Sequence, residues 1–163
     1  MTGPATTRLA ALLAITAGLL SSAGARAAET CTVSAVGTNF GVYDPLSAVP
    51  LDTTGTLQVT CTSGLPVIVD YEIQLDAGQL GSYAARAMTN GASLLTYNLY
   101  TDATRTAVWG DGTGGTAVVG IKYSLPPAGT TQTDTYTVYG RAPARQVVTV
   151  GSYLDTITVT LVF

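Results

Sequence analysis

The fold is read first from Tyr153-Leu154-Asp155-Thr156-Ile157-Thr158-Val159-Thr160-Leu161-Val162-Phe163. Tyr153, Ile157, Val159, Leu161 and Phe163 share one parity, and Thr156, Thr158 and Thr160 share the other. A period of two is that of a β-strand with one buried and one wet face. The stretch reads as a terminal strand. Such a strand must be paired on both sides, sit at a sheet edge, or take a partner.

The same pattern recurs upstream. Val67 to Leu75 sets Val67, Val69, Tyr71, Ile73 and Leu75 against Asp70, Glu72 and Gln74. Shorter runs span Cys31–Val36, Thr56–Thr62, Leu94–Tyr100, Ala117–Tyr123, Thr135–Arg141 and Gln146–Val150. Turn formers separate them, among them Asp44-Pro45, Ser63-Gly64, Asn90-Gly91, Gly110-Asp111-Gly112 and Pro126-Pro127. Helical periodicity is absent, with at most one helical turn over Gln79 to Met88. About eight short strands predict an all-β antiparallel sandwich with Greek-key connections, a closed barrel being the alternative.

Residues 1–27 read as a secretory signal peptide: Arg8, the apolar run Leu9–Leu20, then Ala25-Arg26-Ala27 before a cut after Ala27 or Ala25. The run is too short to span a membrane. Removing 27 of 163 residues leaves 136, one domain over 28–163. That remainder carries five basic and ten acidic residues, net −5, which speaks against nucleic acid and anionic membranes as partners. Charged residues make up 10% of the chain against 28 Thr and 18 Gly, so the surface is built from hydroxyls and amides. Cys31 and Cys61 are the two cysteines, and a secreted chain is expected to oxidise them to one bridge.

Catalytic resources are nearly empty. There is no histidine, so the usual general base and metal ligand are missing. Lys122 is the one lysine and lies on the polar parity of its strand. Asp102, Asp111 and Asp134 fall in expected loops, where turn-forming carboxylates are the favoured reading over a carboxylate pair or a cation site. No catalytic residue, cofactor or metal is predicted. Trp109, beside Gly110-Asp111-Gly112, is the candidate for a surface contact with a carbohydrate or partner; a core plug is the favoured reading.

Several segments resemble the spore coat protein U domain family, which includes subunits of archaic chaperone–usher pili. They are Cys31 with Phe40-Gly41-Val42-Tyr43, Leu57-Gln58-Val59-Thr60-Cys61, Arg86 with Met88, Leu95 through Tyr100, Asp102 with Trp109-Gly110-Asp111-Gly112, Val138-Tyr139-Gly140-Arg141 and Gly151 through Thr156. The resemblance implies an immunoglobulin-like sandwich lacking its final strand, with an acceptor groove beside Ile157, Val159, Leu161 and Phe163. It implies a periplasmic chaperone, an outer-membrane usher and homologous subunits as partners, and a secreted product passing through the periplasm to a surface pilus or coat. Only Ala28, Glu29 and Thr30 would precede Cys31 after cleavage, a short arm for donating a strand, which suits a terminal or tip-proximal subunit. The alternatives are a coat or surface-matrix protein with a self-complete fold, and a carbohydrate-binding adhesin module.

Overall fold

The computed structural model describes residues 29–126 and 130–163. The expected signal peptide, Ala28 and Pro127 lie outside the described residues. Eight strands follow in order: β1 (Glu29–Val36), β2 (Leu51–Ser63), β3 (Val67–Leu75), β4 (Arg86–Thr89), β5 (Leu94–Tyr100), β6 (Val119–Leu125), β7 (Thr130–Ala142) and β8 (Val159–Val162). They form two antiparallel sheets, ordered β1-β2-β7-β5-β4 and β6-β3-β8. The sheets keep separate edges, which makes an immunoglobulin-like sandwich and removes the closed-barrel alternative.

Alternation sets the core. On β3, Val69, Tyr71, Ile73 and Leu75 are buried, facing Leu57, Val59 and Cys61 of β2 and Val138 and Ala142 of β7. The outward parity is hydroxyl-rich. Thr60 and Thr133 share a hydrogen bond of 3.1 Å across β2 and β7, as do Thr62 and Thr131 at 3.0 Å. Such cross-strand pairs stabilise a sheet by a few tenths of a kcal/mol each, up to about 1.

Four expectations are corrected. Gln146–Val150 is not a strand: the Gln146 side chain instead caps β5, accepting from Thr96 N (2.8 Å) and donating to Thr96 O (2.8 Å), which ties the segment down without a ladder. The Gln79–Met88 stretch holds β4 and no helical turn. Asp134 lies on β7, not in a loop. The terminal strand is shorter than its pattern. Leu154 bridges Thr89 of the first sheet, and the ladder with β3 of the second sheet runs only from Val159 to Val162. Residues 155–158 cross between sheets, so side-chain alternation persists while the hydrogen-bond partner changes.

Candidate functional site

One flank of the sandwich is closed by the excursion between β5 and β6. Trp109 is wholly buried there, its Nε1 donating to Ile73 O (2.9 Å) and its backbone N to Leu99 O (2.9 Å). This corrects the surface-contact reading of Trp109: an indole with no exposed face is a plug between sheets, and its N–H is consumed by the core. Arg86 lies beside it, also fully buried. Its Nη1 donates to Asn98 Oδ1 (2.6 Å), its Nη2 to Trp109 O (2.7 Å) and Asp76 O (2.6 Å), and its Nε to Asp76 O (3.0 Å). Burial lowers the guanidinium pKa from its ordinary value. The rigid fork ties β4, β5 and the turn after β3 together.

The opposite flank has no such closure. It is bounded by two edge strands, β1 of the first sheet and β8 of the second, each paired on one side only. Among the described residues no strand lies between them. On β8 and its lead-in, Ile157, Val159 and Leu161 point inward yet stay half-exposed, unlike the sealed row of β3. Cys31 and Val33 on β1 are half-exposed in the same way. Phe163 is 65% exposed, its ring set edge-on to Tyr71 with centroids 6.4 Å apart. At the other end the slot deepens into a cavity of about 230 Å³ between Val36 and Leu154, floored by Leu57, Leu75 and Leu99. Water in contact with so much apolar surface is the driving force for covering it.

Both walls are held in place. Cys31 and Cys61 form the expected disulfide, and the two residues are directly opposed in the β1–β2 register with Cα atoms 4.0 Å apart. The bridge therefore fastens an edge strand to its neighbour within one sheet. The lead-in to β8 is pinned by Asp155, which accepts from Tyr97 Oη (2.7 Å), Gln79 N (3.0 Å) and Thr156 N (2.8 Å). Burial first, and then the hydrogen bond to Asp155, push the Tyr97 hydroxyl pKa well up. Sequence reasoning assigned no role to Asp155 or Arg86; the Tyr97, Arg86 and Asp155 motifs appeared only as family-like segments.

The candidate loop carboxylates build turns. Asp102 accepts from Thr106 N (3.1 Å), Ala107 N (2.8 Å) and the Thr104 hydroxyl, and these bonds, that from Thr104 above all, hold its carboxyl well below the usual range. Asp111 accepts from Thr113 N (2.9 Å) and Thr113 Oγ1 (2.6 Å). Asp134 instead accepts from Tyr71 Oη (3.2 Å) and Gln132 Nε2 (3.0 Å). Lys122 pairs with Asp70 on the surface (2.6 Å).

The profile of the Spore Coat Protein U domain matches residues 16–160. The chain belongs to the Spore Coat Protein U domain family. This Spore Coat Protein U domain chain is 37% identical over 134 residues to Protein U of Myxococcus xanthus, covering 77% of this chain and 70% of that relative. A solved structure with the same fold is the CsuC–CsuE chaperone–tip adhesion subunit pre-assembly complex from archaic chaperone–usher Csu pili of Acinetobacter baumannii. The match has a TM-score of 0.51 at 21% identity, over 83% of this chain. The present chain spans 40% of the matched chain. At that identity the likeness is one of fold.

Proposed function

We propose that this Spore Coat Protein U domain protein is a structural, non-enzymatic subunit of a secreted surface assembly of the chaperone–usher pilus type, assembled by strand addition. The observation that carries the reading is the slot between β1 and β8, two edge strands flanking a half-exposed apolar row. An added strand would satisfy the free backbone groups of an edge while its alternate side chains fill the slot. A periplasmic chaperone would supply that strand first, and a homologous subunit would replace it at an outer-membrane usher. The chaperone–tip subunit complex that shares this fold supports a chaperone and other subunits as partners. A terminal or tip-proximal position is the finer reading, supported by β1 itself beginning at Glu29 and being bridged to β2, which leaves Cys31–Val36 committed to the sheet and not free to be donated.

The test is expression in the periplasm with and without a candidate chaperone, followed by sizing. Degradation or aggregation alone, with rescue by the chaperone, supports an open slot. A soluble monomer that unfolds cooperatively by itself would overturn it in favour of a self-complete coat protein. Leu161→Asp places a charge in the slot and is expected to abolish assembly while leaving secretion intact; normal assembly by this variant would remove the slot from the mechanism.

A further inference from the structure

The disulfide joins β1 to β2 within one sheet, and among the described residues no side-chain cross-link passes between the two sheets. A polar contact does cross the core. Tyr71 of β3, 1% exposed, meets the half-buried Tyr136 of β7 with their Oη atoms 2.8 Å apart. Tyr71 Oη also lies 3.2 Å from Asp134 Oδ2, and Gln132 Nε2 donates to the other carboxylate oxygen at 3.0 Å. A phenol has one proton to give. With the Tyr71 proton directed at Asp134, Tyr136 donates to Tyr71, and the three groups form a relay that runs from Tyr136 through Tyr71 to Asp134.

Other tyrosine hydroxyls go to partners of a different kind: Tyr43 donates to Pro143 O (2.6 Å), Tyr97 to Asp155 Oδ2 (2.7 Å) and Tyr153 to Thr149 O (2.8 Å). Two phenols joined through their ortho carbons keep their oxygens within hydrogen-bond distance. The oxygens of Tyr71 and Tyr136 therefore need little displacement for such a coupling. Burial first, and then the bond to Tyr136, raises the Tyr71 pKa, so this phenol gives up an electron only as its proton leaves. Asp134 stands where that proton must go, and being half-buried it can pass the proton on to water.

We propose that Tyr71 and Tyr136 are a site of oxidative cross-linking, at which two equivalents of a one-electron oxidant join the two rings through their ortho carbons and tie β3 to β7. Tyr136, the more exposed ring, gives the first electron as its proton moves to Tyr71 and the Tyr71 proton moves to Asp134. Asp134 hands that proton to water. Tyr71 then gives the second electron, and its proton leaves by the same carboxylate. The two phenoxyl radicals form one C–C bond between Cε atoms, and each ring restores its aromaticity by moving the hydrogen of that carbon to its oxygen. Two electrons have gone to the oxidant and two protons to water, and both hydroxyls are kept. The link spans 65 residues of sequence and constrains the unfolded chain as a disulfide does. The coupling does not depend on strand uptake by the slot.

The test exposes the full chain recovered from the periplasm, with its chaperone where one is bound, to ruthenium(III) tris-bipyridine generated by light and persulfate, an outer-sphere one-electron oxidant. Three results are expected: the blue fluorescence of a biphenol, a monomer lighter by two hydrogen atoms, and a linked pair of proteolytic peptides carrying Tyr71 and Tyr136. Unfolding in urea before oxidation should abolish that choice of partners. Absence of the linked pair, or links confined to other tyrosines, would overturn the proposal. Tyr136→Phe keeps the ring and should lose the product; an undiminished yield in this variant would overturn the proposal as well. Asp134→Asn should slow the reaction several-fold while leaving the same peptides linked, and an unchanged rate would remove Asp134 as the proton acceptor. The cross-linked monomer should also unfold at a higher temperature than the untreated one.

Discussion

Arg86 shows how much a single side chain organises. A buried guanidinium without a carboxylate partner persists because three acceptors, Asn98 Oδ1, Trp109 O and Asp76 O, take its hydrogen bonds. Arg86→Met is expected to cost about 3–5 kcal/mol, because it leaves these buried acceptors unpaired. Arg86→Lys should recover little, since a point donor cannot span the fork. Denaturant unfolding of the complemented protein measures both. Gly78 makes a second case. Its φ is +78°, and a Cβ there would lie 2.9 Å from Asp155 Cγ. Gly78→Ala is therefore expected to displace Asp155 from Gln79 and Tyr97 and to lose about 1–3 kcal/mol, read as a lower thermal midpoint. Neither residue was legible as structural from spacing. An arginine in a polar-looking segment reads as solvated until the fold puts a tryptophan and two carbonyls around it.

Among the elements, β3 and β5 were legible to the residue: β3 alternates cleanly, and β5 keeps Leu95, Tyr97 and Leu99 on one parity after the Asn90-Gly91 turn, although Asn98 is buried too. β2 and β7 extend beyond their expected bounds, since long-range pairing between them carries residues of neutral pattern into the ladder. The β1–β2 disulfide closes a sequence separation of 30 residues, worth roughly 3–4 kcal/mol in the chain-entropy model. Cys31→Ser with Cys61→Ser is expected to lose about that much and to fray β1, removing one wall of the slot; amide exchange along residues 31–36 would report it. The β2–β7 pair also responds to acid. Asp52 stands opposite Arg141 and accepts from its Nε (2.7 Å) and Nη2 (2.8 Å). That bond, with the charges of Arg105 and Arg141 outweighing desolvation, holds the Asp52 pKa below its ordinary 3.8. A depressed carboxyl contributes stability that is complete above the unfolded value and is lost as pH falls through the folded one. The thermal midpoint should thus drop below about pH 4, less steeply in Asp52→Asn. An equal slope in that variant would exclude the pair as a source.

The whole molecule is a sandwich plugged on one flank and open on the other, the open flank carrying exposed Val36 and Phe163. A covered slot should be the more stable form: a synthetic peptide of alternating apolar residues is expected to raise the thermal midpoint of the chaperone-free protein by several degrees, as any ligand of the native state alone must. An unchanged midpoint at saturating peptide would count against uptake. Local pattern and composition are enough to read off the all-β class, the two-residue period that marks buried rows, the forced cysteine pair and the poverty of catalytic groups. It takes the folded chain to show that Trp109 is sealed, that residues 155–158 cross between sheets, and that β1 and β8 stand as edges with a slot between them. Strand order and burial arise from pairings tens of residues apart, and alternation along one strand is the same whether its neighbour is present or missing.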